Sequence, residues 1–119
     1  MIRKRFGSHE GMRAMTFSER VVAIARKIPR GKVTTYGRIA RAAGGLGMAS
    51  QSVTSILGKA YDRGVKDIPF HRIVYADGRI WIDDRHRRDR MKKYEEEGIV
   101  VDERGRIKDF ERKLFEKLP

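Results

Sequence analysis

The chain has 119 residues, no cysteine and a formal net charge of +12. This length predicts a single domain, and the lack of cysteine excludes disulfide bonds and thiolate metal sites, so we expect neither a metal nor a cofactor. No run approaches the ~18 apolar residues that a membrane span requires, and the basic N-terminus lacks the apolar core of a secretory signal. We therefore expect no membrane association and a cytoplasmic location.

The basic residues are concentrated in the first half of the chain. Residues 1–60 contain twelve Lys and Arg against two acidic residues, a net charge of +10, whereas residues 61–119 contain sixteen against fourteen, a net charge of +2. So uneven a field indicates a polyanionic partner at the N-terminal half, and a pI of about 10.5 favours a nucleic acid. A basic surface that serves solubility or heat stability is the alternative.

The chain is expected to begin with a flexible basic arm over residues 1–15, which contain two glycines and show no sustained period. Thr16 and Glu19 then have the spacing of a capping box that starts a helix. The apolar residues that follow share one helical face: they are Val21, Ile24, Ala25 and Ile28. Pro29-Arg30-Gly31 is expected to end this helix.

Two short helices joined by a glycine-rich turn are predicted next. The first covers residues 36–43 with Thr35 as its cap, and the second begins at Ala49 or Ser50 and ends at Ala60. This pattern is typical of a helix-turn-helix, although any pair of antiparallel helices would share it. The second helix carries small polar residues where a solvated helix would carry Lys and Glu pairs. Such side chains permit a close approach to DNA.

A β-hairpin is predicted from His71 to Ile82, because two alternating segments flank Asp77-Gly78, a strong two-residue turn signal. In this position a hairpin would form the wing of a winged helix. A helix from Met91 to Glu97 follows and is stopped by Gly98.

The expected fold is therefore mostly α with small β-hairpins, a winged helix-turn-helix over residues 16–98. Residues 99–119 are expected to extend the same domain with a second small hairpin around residues 103–105. Phe110 and Leu114 mark a terminal amphipathic helix in this extension.

The segment Ile68 to Val74 resembles the active-site signature of the O6-alkylguanine-DNA alkyltransferases, in which Pro-Cys-His-Arg carries the thiolate that accepts the alkyl group. Here the cysteine position is Phe70, whose ring has no lone pair or acidic proton and cannot be that nucleophile. Residues 28–40 resemble the family's Pro-x-Gly-Lys-Val-x-x-Tyr-Gly-x-Ile-Ala block, and Glu97-Gly98 resembles its closing Glu-Gly. The chain is thus similar to the alkyltransferase-like proteins, which keep the lesion-binding fold without the transfer.

The resemblance implies a fold like the alkyltransferase C-terminal domain, in which the helix-turn-helix enters the minor groove and the target nucleotide rotates into a protein pocket. The implied pocket residues are Tyr36, Phe70, His71, Arg72, Ile80, Trp81 and Asp83. The implied DNA-binding residues are Thr34, Thr35, Tyr36, Gly37, Arg38, Ala49, Ser50, Gln51, Ser52, Thr54 and Lys59.

Individual roles also follow from the resemblance. Tyr36 would press on the 3′ phosphate of the rotated nucleotide; the alternative is a tyrosine packed on the core with an exposed hydroxyl. Phe70 would form an apolar wall for an O-alkyl group; the alternative is a ring that simply fills the former active site. His71 and Glu97 match the family's proton relay, and without a thiol they are expected to form a structural hydrogen-bond network beside Arg72.

The chain also departs from the family. The intercalating arginine falls at Gln51, which can bond to base edges but lacks the planar cation; Arg38, Arg41 or Lys59 are candidates to replace it. The loop over residues 61–67 is about two residues longer than expected. In the wing, residues 81–84 replace a small glycine-containing loop.

Three functions are consistent with these observations. The first is a non-catalytic sensor that binds O6-alkylguanine in duplex DNA, flips the nucleotide and flags it for nucleotide excision repair; its partners would be alkylated double-stranded DNA and repair proteins, and the protein would be a monomer. The second is a small winged-helix DNA-binding protein without lesion specificity, regulatory or architectural. The third is a hydrolytic enzyme that uses His71, Glu97 or Asp62, although no spacing suggests a metal or a nucleophile–base pair.

Overall fold

The computed structural model describes residues 15–46 and 49–118, so the predicted N-terminal arm lies outside these ranges except for Met15. The helices are α1 (Phe17–Ala25), α2 (Tyr36–Ala42), α3 (Ser50–Asp62), α4 (Arg87–Glu96) and α5 (Phe110–Lys113), and the strands are β1 (Thr34–Thr35) and β2 (Ile73–Val74). The predicted fold class, mostly helical with little sheet, is confirmed. No helix within the described ranges is long and apolar enough to cross a membrane.

Helix α1 begins with the predicted capping box. Thr16 Oγ1 accepts from the Glu19 amide at 3.1 Å, and Glu19 Oε1 accepts from the Thr16 amide at 2.9 Å. The helix ends at Ala25, earlier than the predicted stop at Pro29, and tighter turn-type hydrogen bonds follow it. Ile28 is nevertheless buried. Pro29 has no amide hydrogen to bond to the Ala25 carbonyl and its ring would clash with that carbonyl, which explains the early end.

Helices α1, α2 and α3 pack on one another and form the first core. Thr35 caps α2, with its Oγ1 accepting from the Arg38 amide at 3.1 Å. Gly45 in the turn before α3 allows the close packing, because a Cβ there would lie 2.6 Å from the Ala49 Cβ and 2.8 Å from Phe17. The predicted helix-turn-helix is therefore held against α1 by its glycine turn.

The turn of the predicted first hairpin is present, but the predicted pairing of its two strands is wrong. The turn closes with bonds from the Gly78 amide to the Tyr75 carbonyl and from the Tyr75 amide to the Arg79 carbonyl, both 2.9 Å. Strand β2, however, pairs in parallel with β1, and Arg79 pairs with Arg106. Alternation of apolar residues marks a segment as extended but does not name its partner, and here both segments pair with chain outside the hairpin.

The C-terminal extension packs against the small sheet. Val101 and Ile107 form an antiparallel bridge around the predicted second turn, and Ile107 is buried in the second core, which consists of Val33, Val74, Tyr94, Ile99 and Ile107. The predicted terminal amphipathic helix is only the single turn α5. The chain then becomes extended and pairs with Val33. The Phe115 amide donates to the Val33 carbonyl at 2.8 Å, and the Val33 amide donates to the Lys113 carbonyl at 2.9 Å.

Candidate nucleic-acid interface

A buried carboxylate joins three segments of the chain next to Phe70. Glu97, whose side chain is 4% exposed, lies at the end of α4. Its Oε1 accepts from the Gly31 amide at 2.9 Å, and its Oε2 accepts from Arg72 Nη2 at 2.7 Å and lies 2.6 Å from His71 Nε2. Arg72 also donates to the Ile28 carbonyl at 2.8 Å. The short 3-10 turn of residues 70–72 is thus fixed to the segment after α1 and to the end of α4.

The charges of this network follow from its contacts. Burial alone would raise the pKa of Glu97, but hydrogen bonds from Arg72, Gly31 and His71 outweigh it and lower the pKa to about 2. Burial lowers the pKa of His71, and its bond to Glu97 only partly opposes this. At neutral pH the network therefore holds an ionised carboxylate, a guanidinium and a neutral imidazole, which is a stable arrangement of donors around one acceptor.

Phe70 stands at the start of this 3-10 turn and is half-buried against the first core. Its ring makes an edge contact with Tyr61 at a centroid distance of 5.9 Å, and Lys66 Nζ lies 3.8 Å over the Tyr61 ring. Sequence reasoning missed Tyr61 and Lys66. The sequence did offer one signal for Tyr61, because it is an aromatic residue near the C-terminal end of the predicted recognition helix.

Tyr36 begins α2 and is tilted against Tyr75, with ring centroids 5.6 Å apart. Burial raises the pKa of Tyr36, Tyr75 adds to this rise, and a hydrogen bond with Thr54 and the charge of Arg90 oppose it. The hydroxyl therefore stays protonated at neutral pH. Tyr75 was not among the residues expected at this site.

The structure gives several predicted residues other partners. Thr34 and Thr35 are buried, and Thr35 is occupied as a helix cap, so their side chains support the interface and do not form its surface. Ile80 packs on the second core. Asp83, predicted for the pocket, accepts from the His86 amide and lies 2.8 Å from its Nδ1, ahead of α4.

The predicted recognition helix presents polar side chains to solvent. On α3, Gln51, Ser52, Thr54 and Lys59 are exposed, and Ser50 and the preceding Ala49 are half-exposed. A groove of about 220 Å³ separates α2 from the start of α3; its lining consists of Gly37, Ala40, Arg41, Gly45, Leu46, Ala49 and Ser50.

Helices α2 and α3 carry three cations without an ion pair. Among the described residues, no carboxylate lies within ion-pair distance of Arg38, Arg41 or Lys59. Several cations of the second half are paired instead, such as Arg79 with Asp77 and Lys93 with Asp89. The helix-turn-helix therefore carries positive charge that no carboxylate of the described residues neutralises, in the half of the chain whose net charge is +10.

A helix-turn-helix with an exposed polar face and unpaired cations is the arrangement of a helix-turn-helix DNA-binding domain. The model of the 6-O-methylguanine DNA methyltransferase DNA-binding domain matches residues 16–99. The chain therefore belongs to this family, as its motifs indicated.

Individual relatives agree with this assignment. The chain is 38% identical over 91 residues to a DNA base-flipping protein of Vibrio parahaemolyticus, a match that covers 76% of this chain and 88% of that protein. It also resembles S. pombe Atl1 in complex with damaged DNA containing O6-carboxymethylguanine, with a TM-score of 0.61 and 28% identity. A second S. pombe structure with DNA gives 0.66 and 27%. Each structural match covers 84% of this chain and 94% of the other.

Proposed function

We propose that this protein is a non-catalytic DNA-damage sensor that binds O6-alkylguanine-type lesions in duplex DNA and holds the lesioned nucleotide outside the helix. The observation that carries the proposal is Phe70, an unreactive ring at the cysteine position beside the fully formed network of His71, Arg72 and Glu97. The scaffold of the site is kept while its nucleophile is lost. A chain with this scaffold binds the lesion and cannot accept the alkyl group.

The helix-turn-helix is the proposed DNA-binding surface, entering the minor groove with α3. Its unpaired cations, Arg38, Arg41 and Lys59, supply phosphate attraction that does not depend on sequence. Tyr36, at the start of α2, is the group proposed to meet the backbone phosphate of the rotated nucleotide. Its hydroxyl is a donor, as phosphate contacts require.

The pocket for the rotated nucleotide is proposed between Tyr36, Phe70 and Trp81, which follows the Asp77-Gly78 turn. Half-buried aromatic rings favour an apolar O-alkyl substituent, because its transfer from water is favourable. The network of Glu97 keeps the 3-10 turn that carries Phe70 in place. Since Phe70 cannot accept the alkyl group, we infer that a separate system, nucleotide excision repair, is recruited to the protein on DNA. The protein would act as a monomer, in the cytoplasm or on the nucleoid of a prokaryote.

Fluorescence anisotropy tests the proposal with two duplexes that differ at one guanine, unmodified or O6-methylated, at about 0.15 M salt. We expect the protein to bind the methylated duplex at least about tenfold more tightly, which corresponds to about 1.4 kcal/mol. Equal affinities for the two duplexes would sink lesion recognition.

The second candidate is a winged-helix DNA-binding protein without lesion preference, and the observation in its favour is Gln51. This residue is exposed on α3 at the position of the family's intercalating arginine, and an amide has no planar cation to stack with bases. Under this alternative both duplexes bind alike with a steep salt dependence. If only the arginine is missing, a Gln51→Arg variant would strengthen binding to both duplexes.

A further inference from the structure

A polar cleft lies between the segment before β1 and helix α5, outside the helix-turn-helix. It encloses about 330 Å³, and its lining consists of Gly31, Lys32, Asp109, Arg112 and Lys113. The last three of these residues belong to the extension that follows the family match of residues 16–99. The cleft therefore depends on a part of the chain that the matched DNA-binding domain does not include.

The two walls of this cleft are bonded to each other. The Val33 amide donates to the Lys113 carbonyl at 2.9 Å, and Lys32 Nζ donates to the Arg112 carbonyl at 2.9 Å. Val33 is itself buried in the second core. The cleft is thus held open by the fold, and a ligand that enters it does not have to order the backbone that forms it.

The cleft carries an excess of positive charge. Among the described residues, no carboxylate lies within ion-pair distance of Lys32, Arg112 or Lys113. Asp109 is the single carboxylate of the lining. Arg112 is exposed, and an arginine carries five N–H donors in a planar fork that matches a carboxylate. The arrangement therefore suits a ligand that brings carboxylates to these cations.

We propose that this cleft binds an acidic segment of a partner protein, and that a repair system joins the DNA-bound protein through it. This inference rests on the proposed function, which leaves removal of the lesion to a separate system. Carboxylates of the segment pair with Arg112 and Lys113, and Asp109 accepts from a backbone amide of the segment. A duplex suits the cleft less well, because it carries about one charge per 1.7 Å and would bring phosphates against Asp109.

Fluorescence anisotropy of a labelled peptide tests the proposal. A short peptide rich in Asp and Glu is titrated with the full-length protein already saturated with an O6-methylguanine duplex, so that the cations of the helix-turn-helix are occupied. A peptide with Asn and Gln in place of the acidic residues is the control. At about 0.15 M salt we expect only the acidic peptide to bind, with the duplex still bound. Failure of the acidic peptide to bind, or its displacement of the duplex, would overturn the proposal.

Two variants with opposite expected effects locate the peptide in the cleft. Arg112→Gln should weaken binding of the acidic peptide about threefold, the size expected of one exposed ion pair. Asp109→Asn should strengthen it by a similar factor, because a like charge is removed. Asparagine tolerates the left-handed backbone of this residue, whose φ is 54°.

The control variant is Lys108→Gln, which removes one positive charge from an exposed position of the same extension, outside the lining of the cleft. It should change the affinity for the peptide less than Arg112→Gln does. Equal losses in these two variants would mean that the overall charge of the protein attracts the peptide, and would overturn the assignment to the cleft.

The two proposals fail in different ways. Arg112→Gln should leave the affinities for the methylated and unmodified duplexes unchanged. If it weakens binding of both duplexes and leaves binding of the acidic peptide unaltered, the cleft contacts DNA and its role in partner binding is overturned. If the unaltered protein does not prefer the methylated duplex, the proposed function fails whatever the peptide does.

Discussion

Glu97 carries more of the candidate site than any other single side chain, because one carboxylate receives donors from Gly31 in the segment after α1 and from the 3-10 turn. In a relative with a thiol, this glutamate and His71 would serve proton transfer. Here the adjacent residue is Phe70, so the same contacts serve to hold the backbone that presents the ring. These contacts fix the 3-10 turn to the end of α4, so their loss should appear in stability.

We expect Glu97→Gln to lower the free energy of unfolding by about 3 kcal/mol, because Arg72 is left without its buried counter-charge. Urea unfolding followed by circular dichroism measures the change. Glu96→Gln is the matched control: this neighbour is exposed, and its loss should change stability by less than about 0.5 kcal/mol. Similar losses in both variants would contradict the role assigned to the network.

The stability of the protein should fall in acid. Since the folded-state pKa of Glu97 is depressed from 4.5 to about 2, its contribution is fully present above pH 4.5 and is lost as the pH falls towards 2, with a total of about 3 kcal/mol. His71 acts in the same direction from higher pH, because burial lowers its pKa below 6.5. Unfolding curves at several pH values should show the difference between wild type and Glu97→Gln shrinking below pH 4.5; a constant difference would contradict this.

At the scale of elements, the helix-turn-helix depends on the glycine turn that lets α3 approach α1. Gly45→Ala should lower the unfolding free energy by about 2 kcal/mol, since the new Cβ would overlap Ala49 and Phe17. Gly58→Ala, on α3 where nothing lies within 4 Å of a new Cβ, should raise it by about 0.5–1 kcal/mol. Thermal unfolding of the pair is the measurement, and a destabilised Gly58→Ala would contradict the open surface described for α3.

Local and non-local features of these elements were not equally predictable from the sequence. The caps at Thr16 and Thr35 act within three residues of the chain, so side-chain type and spacing determine them. The pairing of β2 with β1 joins segments far apart in the sequence, and no local pattern specifies it. For the same reason Tyr61 and Tyr75 were missed, because tertiary packing alone brings them to the site.

At the scale of the whole molecule, the extension after the family match is part of the fold. Residues 16–99 match the family, yet Ile107 beyond them is buried in the second core. Ile107→Ala should cost about 3 kcal/mol of unfolding free energy, whereas Val100→Ala, at a position 56% exposed, should change it by less than about 0.5 kcal/mol. Chemical denaturation compares the two, and equal effects would mean that the extension adds nothing to the core.

The uneven charge of the chain also belongs to this scale. The net +10 of residues 1–60 and the unpaired Arg38, Arg41 and Lys59 favour DNA on the helix-turn-helix, and the proposed function assigns no alkyl transfer to the site beside Phe70. Binding without transfer is thus the central claim.

Native mass spectrometry tests this claim most directly, with the protein offered equal amounts of an O6-methylguanine duplex and an unmodified duplex that differ in mass. We expect the complex to contain predominantly the methylated duplex, and the protein released from it to have its original mass. Complexes with both duplexes in equal proportion, or a protein heavier by one methyl group, would contradict the account.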